Sequence, residues 1–100
     1  MNVAFADDDL RRLYSDPEYQ AGYSTEIIRS FRRKVQFLID APDERSLKNW
    51  RSLNYERLKG KRKHEWSIRL NGPWRLILQR QETDTDTGVI LILTGIEQYH

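Results

Sequence analysis

Tyr99 and His100 follow directly on a strand-like run, and Lys59, Arg69 and Arg75 stand further back in the chain. These residue types together suit cleavage of a phosphodiester. An unperturbed imidazole titrates near pH ~6.5 and moves protons near neutrality. A guanidinium presents a rigid donor fork that grips two phosphate oxygens and stabilises charge developing on them. A lysine close to other cations holds its proton less tightly, so Lys59 can serve as a base as well as a cation. Tyr99 offers a ring that can stack on a base. His64 sits among basic residues and reads as exposed. The chain has no cysteine, no His-Glu-x-x-His pattern and no glycine-rich phosphate loop, so no metal or cofactor is expected.

These groups need a scaffold, and the hydrophobic periodicity supplies one. From Glu65 onward the period is two. Trp66, Ile68 and Leu70 alternate with polar residues, then Trp74, Leu76 and Leu78 do the same after Asn71-Gly72-Pro73. A three-residue loop pairs Leu70 with Trp74 and Arg69 with Arg75, keeping apolar opposite apolar. Two arginines facing each other are unfavourable unless both grip one anion. A polar loop from Thr83 to Gly88 leads to a last strand, Val89 to Thr94 and on to Ile96, whose continuous apolar character suits a central position.

The first half reads as helical. Val3 and Phe5 form a short first strand, and Asp7 to Tyr14 a first helix that Asp16-Pro17 breaks. Ser24 or Thr25 caps the second helix. Its stripe of Ile27, Ile28, Phe31, Val35, Leu38 and Ile39 has three- and four-residue spacing, and Pro42 stops it near Ala41. Asp43 caps a third helix that carries Leu47 and Trp50 inward. Trp66 and Trp74 belong to the apolar face. The expected architecture is one α+β domain over residues 1–100, its N-terminal helices packed on one face of a small, mainly antiparallel twisted sheet.

The formal charge of +2 conceals an uneven distribution. Residues 1–26 carry net −4, residues 27–82 net +9 and residues 83–100 net −3. The basic middle suits an anionic polymer or an acidic protein partner. It is densest from Arg57 to Lys63, with five basic residues in seven. Arg57, Lys61, Arg62 and Lys63 are candidate substrate-binding cations. Leu58 is expected to point into the core and Gly60 to turn the chain, fixing the direction of Lys59 between them. No stretch is apolar enough to cross a membrane and no secretory signal is legible, so the expected compartment is the cytoplasm.

Four short segments in order carry a further signal: Leu58-Lys59-Gly60, Trp66 to Gly72, Trp74-Arg75 and the closing Tyr99-His100. They resemble the HigB branch of the RelE/ParE toxin superfamily, by motif over residues 55–100 and by element order over residues 1–54. The resemblance implies the toxin half of a type II toxin–antitoxin module. It also implies a metal-independent endoribonuclease that cuts messenger RNA, on the ribosome, by attack of a 2′-OH on the adjacent phosphate. A helix-turn-helix antitoxin of the HigA kind would be its partner. By this likeness Lys59, Arg69, Arg75, Tyr99 and His100 form the catalytic set. The chain departs from the pattern in two places. Gln98 replaces an aspartate and can neither take up a proton nor hold negative charge, while strand alternation sends the neighbouring Glu97 to the other face. Glu56 stands where some members have a histidine and is a candidate auxiliary acid–base. The competing expectation is a ParE-like toxin that inhibits DNA gyrase and cuts no RNA, or a non-catalytic RNA- or protein-binding domain.

Overall fold

The apolar stripe of the second helix organises the molecule. In the computed structural model, which describes residues 1–83 and 88–98, this helix (α2) spans Thr25–Asp40. Ser24 caps it, its hydroxyl accepting from the Ile27 N–H at 3.3 Å. The helix stops at Ala41, ahead of Pro42. Ile27, Ile28, Phe31, Val35 and Leu38 are all buried. Ile39 was expected in that row but is 37% exposed. At 100° per residue it lies about 80° round from Phe31, at the margin of the stripe.

Two shorter helices complete the layer. The first, α1, is Asp8–Ser15, capped by Asp7 through the Asp9 N–H at 2.7 Å, and it buries Leu10 and Leu13. The third, α3, is Glu44–Asn49, capped by Asp43 through the Ser46 N–H at 3.2 Å. Leu47 is fully buried, and Trp50 meets Phe37 edge-on with centroids 4.6 Å apart.

The strands are β1 Asn2–Phe5, β2 Glu56–Arg57, β3 Trp66–Asn71, β4 Trp74–Glu82 and β5 Val89–Gln98. They form one sheet in the order β1-β5-β4-β3-β2. β1 runs parallel to β5 and the other pairings are antiparallel, so the sheet is mixed but mainly antiparallel. The interior place of β5 agrees with its apolar run. The helices cover one face, and the core lies between Phe31, Val35 and Leu38 of α2 and Ile68, Leu76 and Leu78 of the sheet. The α+β architecture expected from periodicity is therefore the one formed. Among the described residues no helix is long and apolar enough to cross a membrane.

Two irregularities set which side chains reach the uncovered face. In the hairpin Arg69 stands opposite Arg75, as expected, but Trp74 stands opposite Asn71 rather than Leu70. The connection is Gly72-Pro73, with Gly72 at φ +55°, and Leu70 is the surplus residue of a bulge. The Ser30 hydroxyl donates to the Leu70 carbonyl at 2.6 Å and occupies the acceptor there. The second bulge lies in β5. Ile77 pairs with Gly95 and Leu78 with Leu93, leaving Thr94 as the extra residue, its hydroxyl donating to the Ile77 carbonyl at 3.2 Å. Before it, Leu91 and Leu93 face the core. After it the phase is reversed: Ile96 packs on the core while Gly95 and Glu97 turn to the uncovered face. Of the polar loop expected from Thr83 to Gly88, the Thr83 N–H donates to the Gly88 carbonyl at 2.8 Å; residues 84–87 lie outside the described residues.

Candidate active site

On the uncovered face β3 presents Ser67 and Arg69, β4 presents Arg75 and Ile77, and β5 presents Glu97 opposite Arg75. Arg69 is exposed. Arg75 is half-buried, with its Nη1 closed off from solvent. The basic segment folds back over this face for local reasons. β2 places Glu56 beside Ser67 and Arg57 beside Trp66, and the Leu58 N–H donates to the Glu65 carbonyl at 2.9 Å. Gly60, at φ +69°, then opens a tight 3-10 turn over Gly60–Arg62. The Lys63 N–H closes the turn on the Gly60 carbonyl at 3.2 Å.

Between turn and sheet lies a cleft of about 450 Å³. Glu56, Arg57, Lys59, Arg62 and Arg75 line it, with Ser67 and Leu58. Lys59 and Arg75 therefore share one cavity with the acid–base candidate Glu56. Arg69 is the cross-strand neighbour of Arg75 on the same face but does not line the cavity. Lys61 and Lys63 are exposed and do not line it, and the Arg57 Nε donates to the Lys63 carbonyl. His64 is exposed, as expected. Tyr99 and His100 lie outside the described residues. Leu58 was expected in the core but is half-buried at the cleft instead. The apolar space beside β3 is taken by Tyr55, which stacks on Trp66 at 4.7 Å and 20°.

A clamp fixes the chain where it enters β2. The Glu44 carboxylate accepts from Arg80 Nε at 2.8 Å, Arg80 Nη2 at 2.9 Å and the Tyr55 hydroxyl at 2.6 Å. Burial pushes the Glu44 carboxyl up, but the hydrogen bonds from Arg80 and Tyr55 outweigh it and the net displacement is downward. Burial, reinforced by the Glu44 bond, raises the Tyr55 phenol. α3, the start of β2 and the middle of β4 are thereby tied at one point. At the outer edge of β3 the Lys34 Nζ donates to the Arg69 carbonyl at 2.7 Å. Its ammonium is held below the ordinary lysine range, first by burial and then by the Arg33 and Arg69 charges.

Across the cleft the 3-10 turn is anchored by Arg62. Its Nε donates to Glu65 at 2.6 Å, while Nη1 and Nη2 donate to the two oxygens of Glu97 at 2.8 and 2.7 Å. Hydrogen bonding from Arg62 holds the Glu97 carboxyl below its usual range, and the Glu97 and Glu65 bonds raise the guanidinium in turn. Simple alternation along β5 had sent Glu97 away from the site. The Thr94 bulge brings it to the same face as Arg75 and leaves Gln98 level with Trp74 on the other side. Glu97 is the site-face residue that pattern reading missed. The signal was Thr94-Gly95 interrupting an apolar run, a frequent place for a bulge. Among the described residues no group of three histidine, aspartate or glutamate side chains converges as a metal site would require.

The model of one protein family, RelE-like toxins of the type II toxin–antitoxin system HigB, matches residues 3–89. The matched span holds Lys59, Arg69 and Arg75. No curated protein matches the sequence. Among solved structures a YoeB/ParE toxin from Agrobacterium tumefaciens is similar, with a TM-score of 0.53 and 17% identity over 100% of both chains. At that identity the likeness concerns the fold.

Proposed function

The chain belongs to the RelE-like HigB toxins of type II toxin–antitoxin systems, and from that premise we propose that it is a metal-independent endoribonuclease acting on messenger RNA. The observation that carries the proposal is the shared cleft of Lys59 and Arg75, with Arg69 directly across from Arg75. A phosphodiester laid on this face meets guanidinium donors where charge grows on its non-bridging oxygens. Attack by the neighbouring 2′-OH requires the incoming and departing oxygens nearly in line. Lys59 or Glu56 takes the 2′ proton, His100 supplies one to the departing 5′ oxygen, and Tyr99 orients the nucleotide. Arg57 and the rim cations Lys61 and Lys63 hold the flanking backbone by charge.

The substrate is messenger RNA on the ribosome, the partner a helix-turn-helix antitoxin of the HigA kind, and the compartment the cytoplasm. The products are a 2′,3′-cyclic phosphate and a 5′-hydroxyl. Sequencing RNA ends after induction tests the chemistry, and ends bearing 5′-phosphate reject it. Adding the protein to a translating extract, with and without ribosomes, tests the substrate. Message cut only when ribosomes are present supports the reading. Intact message together with blocked supercoiling supports the gyrase inhibitor instead.

A further inference from the structure

The Arg62 guanidinium is loaded from two sides, and the two sides differ. Its Nε is held by Glu65, a carboxylate with 19% side-chain exposure, so the direction of the group is fixed from the protein side. Its end-on fork, Nη1 and Nη2, points across the cleft and is filled by both oxygens of Glu97, whose side chain is 47% exposed. Two parallel N–H···O bonds to one planar anion are also how a guanidinium grips two non-bridging oxygens of a phosphodiester. Glu97 itself reaches this position only through the Thr94 bulge, which sets it opposite Arg75 on the cleft face. An exposed ion pair of this sort contributes little to stability, because water and salt compete with it. It is readily exchanged for a polyanion that brings many charges at once.

We propose that the Arg62 fork is a phosphodiester subsite beside the Lys59–Arg75 cleft, and that Glu97 fills it as an internal carboxylate stand-in until a phosphate displaces it. The inference rests on the ribonuclease reading for the identity of the polymer, not for the existence of the subsite. Glu65 keeps the fork aimed as the exchange occurs, so Arg62 meets the incoming phosphate already oriented. In the free protein one cation of the basic segment is thus neutralised by its own chain. Glu97 sets how strongly short anions hold the cleft: one must release the internal carboxylate, whereas a polymer engaging Arg75 and the rim as well releases it readily.

The test uses two probes that cannot be cleaved by 2′-OH attack: a short 2′-O-methyl oligoribonucleotide and inorganic polyphosphate. Their binding is followed across a range of salt. Glu97→Gln keeps the shape and removes the charge, so the oligonucleotide should bind about fivefold more tightly. The slope of log affinity against log salt should steepen by about 0.7, the value of one more phosphate contact on a single strand. Glu18→Gln, an exposed acid in the α1–α2 connection, makes the same change in net charge and should shift affinity by less than about twofold. With Arg62→Gln already present, Glu97→Gln should bring no more than that small gain. Thermal melts establish that each variant is folded. Equal gains from Glu97→Gln with and without Arg62 overturn the subsite, as does a gain no larger than that of Glu18→Gln, or no gain on either probe. A gain on polyphosphate alone upholds the subsite and rejects RNA as its polymer.

Discussion

Arg69 and Arg75 face each other across β3 and β4, a placement that like charges disfavour and that one shared anion relieves. Neither belongs to the buried set, so their value lies in the face they build. Arg75→Ala should lower RNA cleavage by about 10²-fold or more, the scale of losing one oriented donor to a developing charge. It should move stability by no more than about 0.5 kcal/mol. Cleavage rates and a circular-dichroism melt of one preparation check both halves, and a folded Arg75→Ala protein at full activity removes Arg75 from the mechanism. The adjacent Trp74 gives the contrast. Its ring packs on the core and meets Tyr23 edge-on at 5.9 Å, so Trp74→Ala should cost about 3 kcal/mol and lose function through unfolding.

At the level of elements, the clamp of Glu44, Arg80 and Tyr55 decides where the Lys59 segment begins. All three groups are partly buried, and their hydrogen bonds join α3, β4 and the entry to β2. Glu44→Ala leaves a guanidinium and a phenol without their acceptor and should cost about 2 kcal/mol. In a chain of this size that lowers the melting temperature by roughly 10 °C. The pH dependence has a definite sign. The folded carboxyl is displaced below its ordinary value of 4.5. Its stabilisation is therefore complete above that pH and is lost as the pH falls through the lowered folded value. Melting temperatures of wild type and Glu44→Gln should converge as the pH drops from about 5 to about 3. A gap that stays constant over that range contradicts the assignment.

For the molecule as a whole, the charge map matters more than any one pair. The net +9 of residues 27–82 is where an acidic segment of the antitoxin would compete with RNA. Association of the two proteins should therefore slow as salt rises, and bound antitoxin should abolish RNA cleavage. Stopped-flow association at increasing ionic strength, with a cleavage assay on the purified complex, checks this. Cleavage undiminished in the complex shows that neutralisation does not occur at this face.

Local pattern was enough for much of this architecture. The three helices and their caps at Asp7, Ser24 and Asp43, the hairpin and the facing of Arg69 with Arg75 follow from side-chain spacing and backbone preference, which act over a few residues. The motif of Lys59, Arg69 and Arg75 was legible for the same reason. What spacing could not carry was phase and reach. A single surplus residue, Thr94, reverses every later side chain of β5, and alternation cannot register an insertion whose partner strand is remote in sequence. It is that reversal which put Glu97 rather than Gln98 on the working face. Likewise Leu58 left the core because Tyr55 and Trp66 had closed the space beside β3. Arg62 changed from one rim cation among several to a bridge because the Gly60 turn folds it back over the sheet, 35 residues from its partner. The sequence by itself determined the elements and the chemical inventory. The tertiary structure decided which of those charges meet, because contacts between distant strands are set by packing and register and not by the residues on either side.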